Sequence, residues 1–390
     1  MRPARTYPEQ RDDVRLLVID PAAPEGAGLR ETRTPALPEL LAPGDLLVVN
    51  DAATLPASLR GTDDAGRPVE VRLIAARGGW RADEDSSLSP PSSSPMRSSS
   101  VRFAAVLFGA GDWHTRTEDR PPPPELADGA RLRFGALGAT VGRHATLSPR
   151  LVELRFDGDG DALDADALWA ALYKEGRPVQ YAHLAHDLPL WAVQTVYATR
   201  PWAFEMPSAG RPLSWEILLA LRRRGVRWAS LTHAAGLSAT GDPSIDAALP
   251  LPEAYEIPAA TARAVAETRA RNGRVVAVGT TVVRALEGAA QQHGGHGGQR
   301  DCALRAGRGE TDLRITPAFR PRVVDGILSG AHAAHESHFQ LLAAFAGAEL
   351  LAAAAAQAER SGFLTHELGD AMLVLPGALA QPHRKATSAP

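Results

Sequence analysis

Short apolar runs broken by turn residues dominate the first part of this chain. Arg15 to Asp20 reads as a strand, and so does Asp45 to Asn50 after the Pro43-Gly44 turn. Val69 to Ile74, Val101 to Phe108, Ala130 to Phe134 and Leu151 to Phe156 are further runs of strand length, separated by Gly, Pro and Asp. Strands clustered without intervening helices predict a small all-β unit. After about Asp164 helices and strands alternate. Leu213 to Arg224 has helical spacing, Val226 to Thr232 is strand-like, and Ala259 to Arg271 is helical again. Val275 to Val278 then reads as a buried strand running into a helix over Thr281 to Ala290. The pattern predicts a mixed α/β body with a β-rich insertion. Leu341 to Ala356, mostly alanine and containing Glu349, reads as a packed helix, too short and too weakly apolar to span a bilayer.

Three biased stretches interrupt this pattern. Asp83 to Ser100 is rich in serine and proline and buries too little apolar surface to order itself. Pro121 to Pro124 is a stiff polyproline segment. Gln291 to Gly309, glycine-rich and carrying His293 and His296, reads as a flexible loop. Composition adds a little. Hydrophobic residues are 44% and charged residues 22%, as in an ordinary globular protein. The single cysteine, Cys302, excludes an internal disulfide and a metal site built on cysteine pairs. With a charged start unlike a signal peptide, this predicts a cytoplasmic location and no membrane contact. The net charge of −3 gives no global attraction for nucleic acid, so RNA binding would rest on local groups. The candidates are Arg222, Arg223 and Arg224 with Arg227, and the pair Arg320 and Arg322.

Three clusters carry candidate chemistry. In the run Arg274 to Glu287 an apolar strand meets Gly279, then Thr280 and Thr281, then a helix with Arg284 one turn on. The glycine permits a sharp turn and close approach of a ligand, and the free amides of the helix start suit a carboxylate or phosphate. An ordinary strand–helix turn with a threonine cap would look the same. The second cluster is Gly309-Glu310-Thr311-Asp312, then Val324-Asp325 and Ser329-Gly330-Ala331-His332, whose carboxylates and imidazole can move protons or bind an ammonium group. His332, His335 and His338 stand three apart around Glu336. On a helix that step drifts around the axis, so the expectation is no metal. The third cluster is Gln194 to Tyr197 followed by Pro207-Ser208-Ala209-Gly210, a tight turn against which a flat ring could pack.

These pieces, in this order, resemble the S-adenosylmethionine:tRNA ribosyltransferase-isomerase family of queuosine biosynthesis. The family's N-terminal signature is matched by Leu37 to Asp51 followed by Leu55-Pro56-Ala57, and its middle signatures by Gln194 to Tyr197, Pro207 to Gly210 and Gly279 to Glu287. Gly309 to Leu313, Val324-Asp325, His332, Ala344 to Gly347 and Gly369 to Leu373 match its C-terminal signatures. The chain also departs from the family. Arg211, Pro212 and Leu213 replace leucine, histidine and an aromatic. Gly330 to Ala334 keeps only the histidine of an Asn-Phe-His-Leu-Pro run. Ala53 stands for an arginine, and Ala247 to Pro252 for a histidine-bearing stretch before Glu253 and Tyr255.

The resemblance implies a barrel-like α/β body, residues 1–58 and 175–390, with a small β-barrel domain inserted over 59–174 and a disordered loop near 82–100. It implies transfer and isomerisation of the ribosyl group of S-adenosylmethionine onto an aminomethyl-deazaguanine in tRNA, with release of adenine and methionine and without a metal. His332 and Asp325 would handle protons. Gly279, Thr280, Thr281, Arg284, Asp312, Gln194, Tyr197, Ser208 and Gly210 would bind the substrate. The partners implied are S-adenosylmethionine and tRNA, and the chain is expected to be a monomer. Two alternatives stay open: the same fold using S-adenosylmethionine on a small-molecule acceptor, and an inactive RNA-binding homologue.

Overall fold

The apolar run Leu46–Asn50 is wholly buried and forms the centre of a nine-stranded sheet. Its side chains alternate between two faces, as the two-residue period of a strand requires. Leu46 and Val48 point into one core with Ala262, Val265, Val282 and Leu286 of the helices Ala259–Ala270 and Thr280–His293. Leu47 and Val49 point into the opposite core with Leu37, Leu40, Ile217 and Leu221 of the helices Leu37–Leu40 and Trp215–Arg223. The body is therefore helix, sheet and helix in three layers. The structure, a computed structural model, describes residues 1–77, 102–158, 161, 163–293, 304–334 and 336–380. The Ser/Pro-rich stretch 83–100, the centre of the Gly-rich stretch, Cys302 and His335 lie outside these residues.

Four strands in the middle of the sheet are parallel: Arg227–His233, Leu46–Asn50, Val275–Val278 and Gly326–Gly330, in that spatial order. Antiparallel Glu253–Ile257 and Gly307–Thr311 extend one side. Ala371–Val374, Arg15–Ile19 and Leu29–Arg33 extend the other, so the body is an α/β sheet bounded by two edge strands. The carboxyl ends of all four parallel strands open on the same side, the usual place for a ligand in such a sheet.

Six strands between Ser58 and Gly158 close a separate antiparallel barrel. Its interior is filled by Leu59, Val71, Phe103, Phe134, Val141, Leu154 and Phe156, and the helix Ala165–Glu175 packs Leu168 and Leu172 against it. The mixed α/β body and inserted β-barrel agree with the expected fold class, but the body is not barrel-like: its nine-stranded sheet stays open, ending on the edge strands Gly307–Thr311 and Leu29–Arg33. One element differs. The expected continuous helix over Leu341 to Ala356 is a short helix Ser337–Leu341, a 3-10 turn, and a second helix Ala348–Arg360 that starts from Gly347 in extended conformation. Among the described residues no helix is long and apolar enough to cross a membrane.

Candidate functional site

The strand Val275–Val278 ends at Gly279, whose φ of +87° only glycine adopts without strain. The Gly279 amide donates to Leu328 O (2.8 Å) on the neighbouring strand, and the helix begins at Thr280. A side chain at Gly279 would sit 3.4 Å from the Ala209 Cβ, so the Pro-Ser-Ala-Gly turn packs directly onto the Gly-Thr-Thr turn. Tyr197 seals that turn from below: its hydroxyl occupies the space a Cβ on Gly210 would need. Burial, with Asp51 nearby, raises the Tyr197 phenol above its ordinary value, and Arg11 opposes this only in part.

Beside the turn lies a buried polar group. Asn50 Nδ2 reaches His233 O (3.0 Å) and Thr281 Oγ1 (3.4 Å), and Asn50 Oδ1 accepts from His233 N (2.9 Å). His233 is fully buried, its imidazole held neutral by burial and then by the positive charge of Arg284. Arg284 Nη1 pairs with Glu253 Oε2 at 2.6 Å, and its Nε donates to Leu313 O (3.2 Å). Its Nη2 is buried without a hydrogen-bond partner. Part of the guanidinium is thus committed to the fold, and one donor is left for a ligand.

Across the cleft stands a cluster of imidazoles and carboxylates. His332 Nδ1 bonds Glu336 Oε2 at 3.0 Å, and the His332 ring stacks on His338 at 4.8 Å. His332 precedes the helix Ser337–Leu341, so the expectation of histidines drifting around one helix is corrected: the chain folds back and two of the rings meet. Burial pushes Glu336 up, but the His332 hydrogen bond and the charges of His366 and His332 hold its carboxyl below the ordinary value. His366 is a non-glycine residue at φ +68°, a conformation that costs about 1–2 kcal/mol and that surrounding contacts must hold. Its amide donates to Ala331 O (3.1 Å), which ties this turn to the segment bearing His332 just past the strand Gly326–Gly330. His183 stacks on His366 at 4.8 Å. Burial, then His366, lowers His183 to about 4. Burial also lowers His338 to about 4 and raises Glu205 to about 7 and Glu367 to about 8. Groups shifted this far occur at functional sites and in structural charge networks alike, and of these four Glu367 lines the cleft. The cleft itself is lined by Ser208, Ala209, Arg211, Gly330, His366 and Asp370, among others.

The chain matches the family described as queuosine biosynthesis protein over residues 2–374. The S-adenosylmethionine:tRNA ribosyltransferase-isomerase of Gloeobacter violaceus is 35% identical over 376 residues, covering 95% of this chain and 91% of that protein. The protein of the same name from Methylorubrum extorquens is 34% identical, covering 96% and 93%. This chain belongs to that family. A solved S-adenosylmethionine tRNA ribosyltransferase from Thermotoga maritima is 24% identical with a TM-score of 0.48, covering 96% of both chains.

Of the residues singled out from sequence, the structure gathers Gly279, Thr280, Thr281, Arg284, Ser208, Gly210, Tyr197 and His332 around the carboxyl ends of the parallel strands. Others lie elsewhere. Asp325 precedes the strand Gly326–Gly330 and bonds the Val275 amide through Oδ2 (2.8 Å). A full strand separates it from His332, roughly 15 Å at 3.3 Å per residue, so the two do not act on one proton. Gln194 spends its amide on the backbone of Thr54, accepting from N and donating to O at 2.9 Å each. Asp312 is an exposed residue after the strand Gly307–Thr311. Glu287, inside the best-matched motif, accepts the amides of Arg322, Val323 and Val324 at 2.9 Å and holds that loop. Arg222 to Arg224 and Arg320 with Arg322 precede strands Arg227–His233 and Gly326–Gly330, at the opposite end of the sheet from the cleft. Sequence reading missed His183, Glu205, His366 and Glu367. The one signal for the last two was their position just before the matched Gly369-Asp370 element.

Proposed function

We propose that this protein carries out the reaction for which its relatives are named, using S-adenosylmethionine to modify tRNA. The observation that carries the reading is convergence: motifs separated by more than a hundred positions in sequence meet at one cleft, and they are the motifs shared with the family. The methionine carboxylate would lie on the amides after Gly279, with Thr280, Thr281 and the spare Nη2 of Arg284 as further donors. Adenine would stack against the small-residue turn of Ser208 to Gly210. The sulfonium acidifies the adjacent ribose C5′, and His332, oriented by Glu336, would take that proton. The electron pair forms C4′=C5′, the C4′–O4′ bond opens to a C1′ aldehyde, and adenine departs with the electrons of its glycosidic bond. The amine of the deazaguanine then adds to C4′ of the vinyl sulfonium and loses its proton, and the C5′ ylide so formed closes onto the aldehyde to leave an alkoxide on C1′. The sulfonium leaves as neutral methionine when the neighbouring oxygen closes the epoxide. This sequence asks for no metal in the reacting step. In this reading the barrel over 59–174 is an insertion into a catalytic body of 1–58 and 175–390, and the enzyme acts as a cytoplasmic monomer.

Incubation with S-adenosylmethionine and tRNA bearing the aminomethyl-deazaguanine tests this, with free adenine as the readout. Adenine released only when both are present is the expected result. Its absence, with S-adenosylmethionine still bound, would discard the tRNA reading. One observation favours a second acceptor class. The exposed arginine clusters lie at the far end of the sheet from the cleft, which would suit a small-molecule acceptor bearing the same amine. Binding of tRNA that falls steeply with salt supports the first reading, and no binding at low salt supports the second.

A further inference from the structure

His183, His366 and Glu367 each turn a ligand-type atom toward a common point, all three atoms lying within 4.8 Å of one another. His183 Nε2 and Glu367 Oε2 face each other at 3.7 Å, too far for a hydrogen bond, and both are buried without a hydrogen-bond partner. On the other side His366 Nε2 stands 3.7 Å from Glu336 Oε1. Two nitrogen or oxygen atoms each about 2.0–2.2 Å from one tetrahedral ion are separated by roughly 3.3–3.6 Å. The 3.7 Å between His183 and Glu367 is close to the span of a ligand pair and too long for a hydrogen bond. The widest separation closes by roughly 1 Å when the rings rotate onto an ion of that size.

We propose that His183, His366 and Glu367, with Glu336 supporting His366 from outside, form a binding site for a divalent transition cation of the zinc class. Two imidazoles and one carboxylate, with a position left for water, are a donor set such ions accept. The left-handed backbone at His366 fits this role, because that strained turn aims the ring into the cluster while Gly369 N closes on His366 O (2.9 Å). Glu336 Oε1 stands 3.7 Å from His366 Nε2, while its Oε2 holds His332 Nδ1. The site is thereby linked through one outer carboxylate to the imidazole proposed to move the proton. His366 and Glu367 also line the cleft, so the ion is reachable from it. The site stands on its own geometry and does not depend on the acceptor being tRNA. It revises the expectation of no metal, which rested on the family resemblance and on the spacing of His332, His335 and His338, and which left His183 and His366 out.

The full chain, stripped with a chelator and dialysed, is titrated with Co(II) alone while its visible absorption is followed. One tightly held ion per chain with intense tetrahedral bands, displaced by Zn(II), is expected. His183→Gln and Glu367→Gln should each abolish these bands at unchanged circular dichroism. Glu336→Gln, which keeps its shape, should weaken binding about 10–100-fold. Should His183→Gln not fold, Glu367→Gln carries the test. No stoichiometric binding by the wild type, or binding that Glu367→Gln leaves intact, overturns the proposal. So does binding that vanishes on replacing His293 and His296, which would assign the ion to the Gly-rich stretch.

Discussion

Arg284 has two duties in this site, and replacing it by alanine separates them. Its Nη1 lies 2.6 Å from Glu253 Oε2, and both side chains are largely buried, at 12% and 9% exposure. At that distance and an effective dielectric of about 20 the gross attraction is roughly 6 kcal/mol. Desolvation of both groups offsets most of it. Removing Arg284 alone does not recover that cost, because the buried Glu253 carboxylate stays behind with the Gly236 amide (2.7 Å) and the His233 ring, 3.4 Å from Oε2, and no cation beside it. Breaking one side of a buried pair costs about 3–5 kcal/mol. Arg284→Ala should therefore lower the unfolding free energy of the ligand-free protein by that amount, seen as a lower urea midpoint followed by far-UV circular dichroism. Adding Glu253→Gln should recover part of the loss, the pair coupling by about 0.5–3 kcal/mol. Affinity for S-adenosylmethionine should fall separately by about 1–3 kcal/mol in calorimetry, the scale for losing a charged partner. An unchanged midpoint alongside lost affinity would show that Arg284 waits for the ligand and that Glu253 does not need it.

Gly279→Ala should cost about 1–2 kcal/mol through the left-handed backbone alone, and thermal unfolding would show it. His332→Asn should leave S-adenosylmethionine binding near wild type by calorimetry while slowing adenine release about 10²–10⁴-fold. A loss confined to binding would reassign His332 to substrate contact. In the barrel, Glu70 accepts from Arg72 Nε (2.8 Å) and pairs with Arg120. Burial pushes its carboxyl up, but Arg72 and then Arg120 hold it below the ordinary 4.5. A depressed folded pKa means stability that is present above pH 4.5 and lost as pH falls through the folded value. Acid unfolding of the wild type should steepen below pH 4.5, and Glu70→Gln should remove that component.

The body was legible because its buried strands carry continuous apolar runs. Val275–Val278 was bounded without error, and Leu46–Asn50 and the helix Ala259–Ala270 to within a residue or so. The strands that went unseen are those whose pairing, not composition, makes them strands. Gly307–Thr311 reads Gly-Arg-Gly-Glu-Thr and has no apolar period, and Leu29–Arg33 exposes most of its residues as an edge. The site was half legible for a related reason. Gly279 and Ser208 sit inside local motifs, so their neighbours announce them. His183 and His366 are far apart in sequence and meet only because the turn after Phe363 folds onto the strand end at Gly330. Asp325 shows the converse: it stands in a matched motif, yet a strand length removes it from the imidazole it was expected to help.

The central position of Leu46–Asn50 also bears on how the chain is made. Both of its sheet partners, Arg227–His233 and Val275–Val278, are translated some 180 to 230 residues later. Until then Leu-Leu-Val-Val-Asn emerges from the ribosome with both edges unpaired, an apolar β-prone segment with an aggregation hazard. The inserted barrel closes its strand pairing within its own span, but Phe204, Leu237 and Ile245 of the body complete its core. Pairing across so long a loop is slow. Biogenesis of this enzyme should accordingly depend on a chaperone that shields the nascent N-terminal segment.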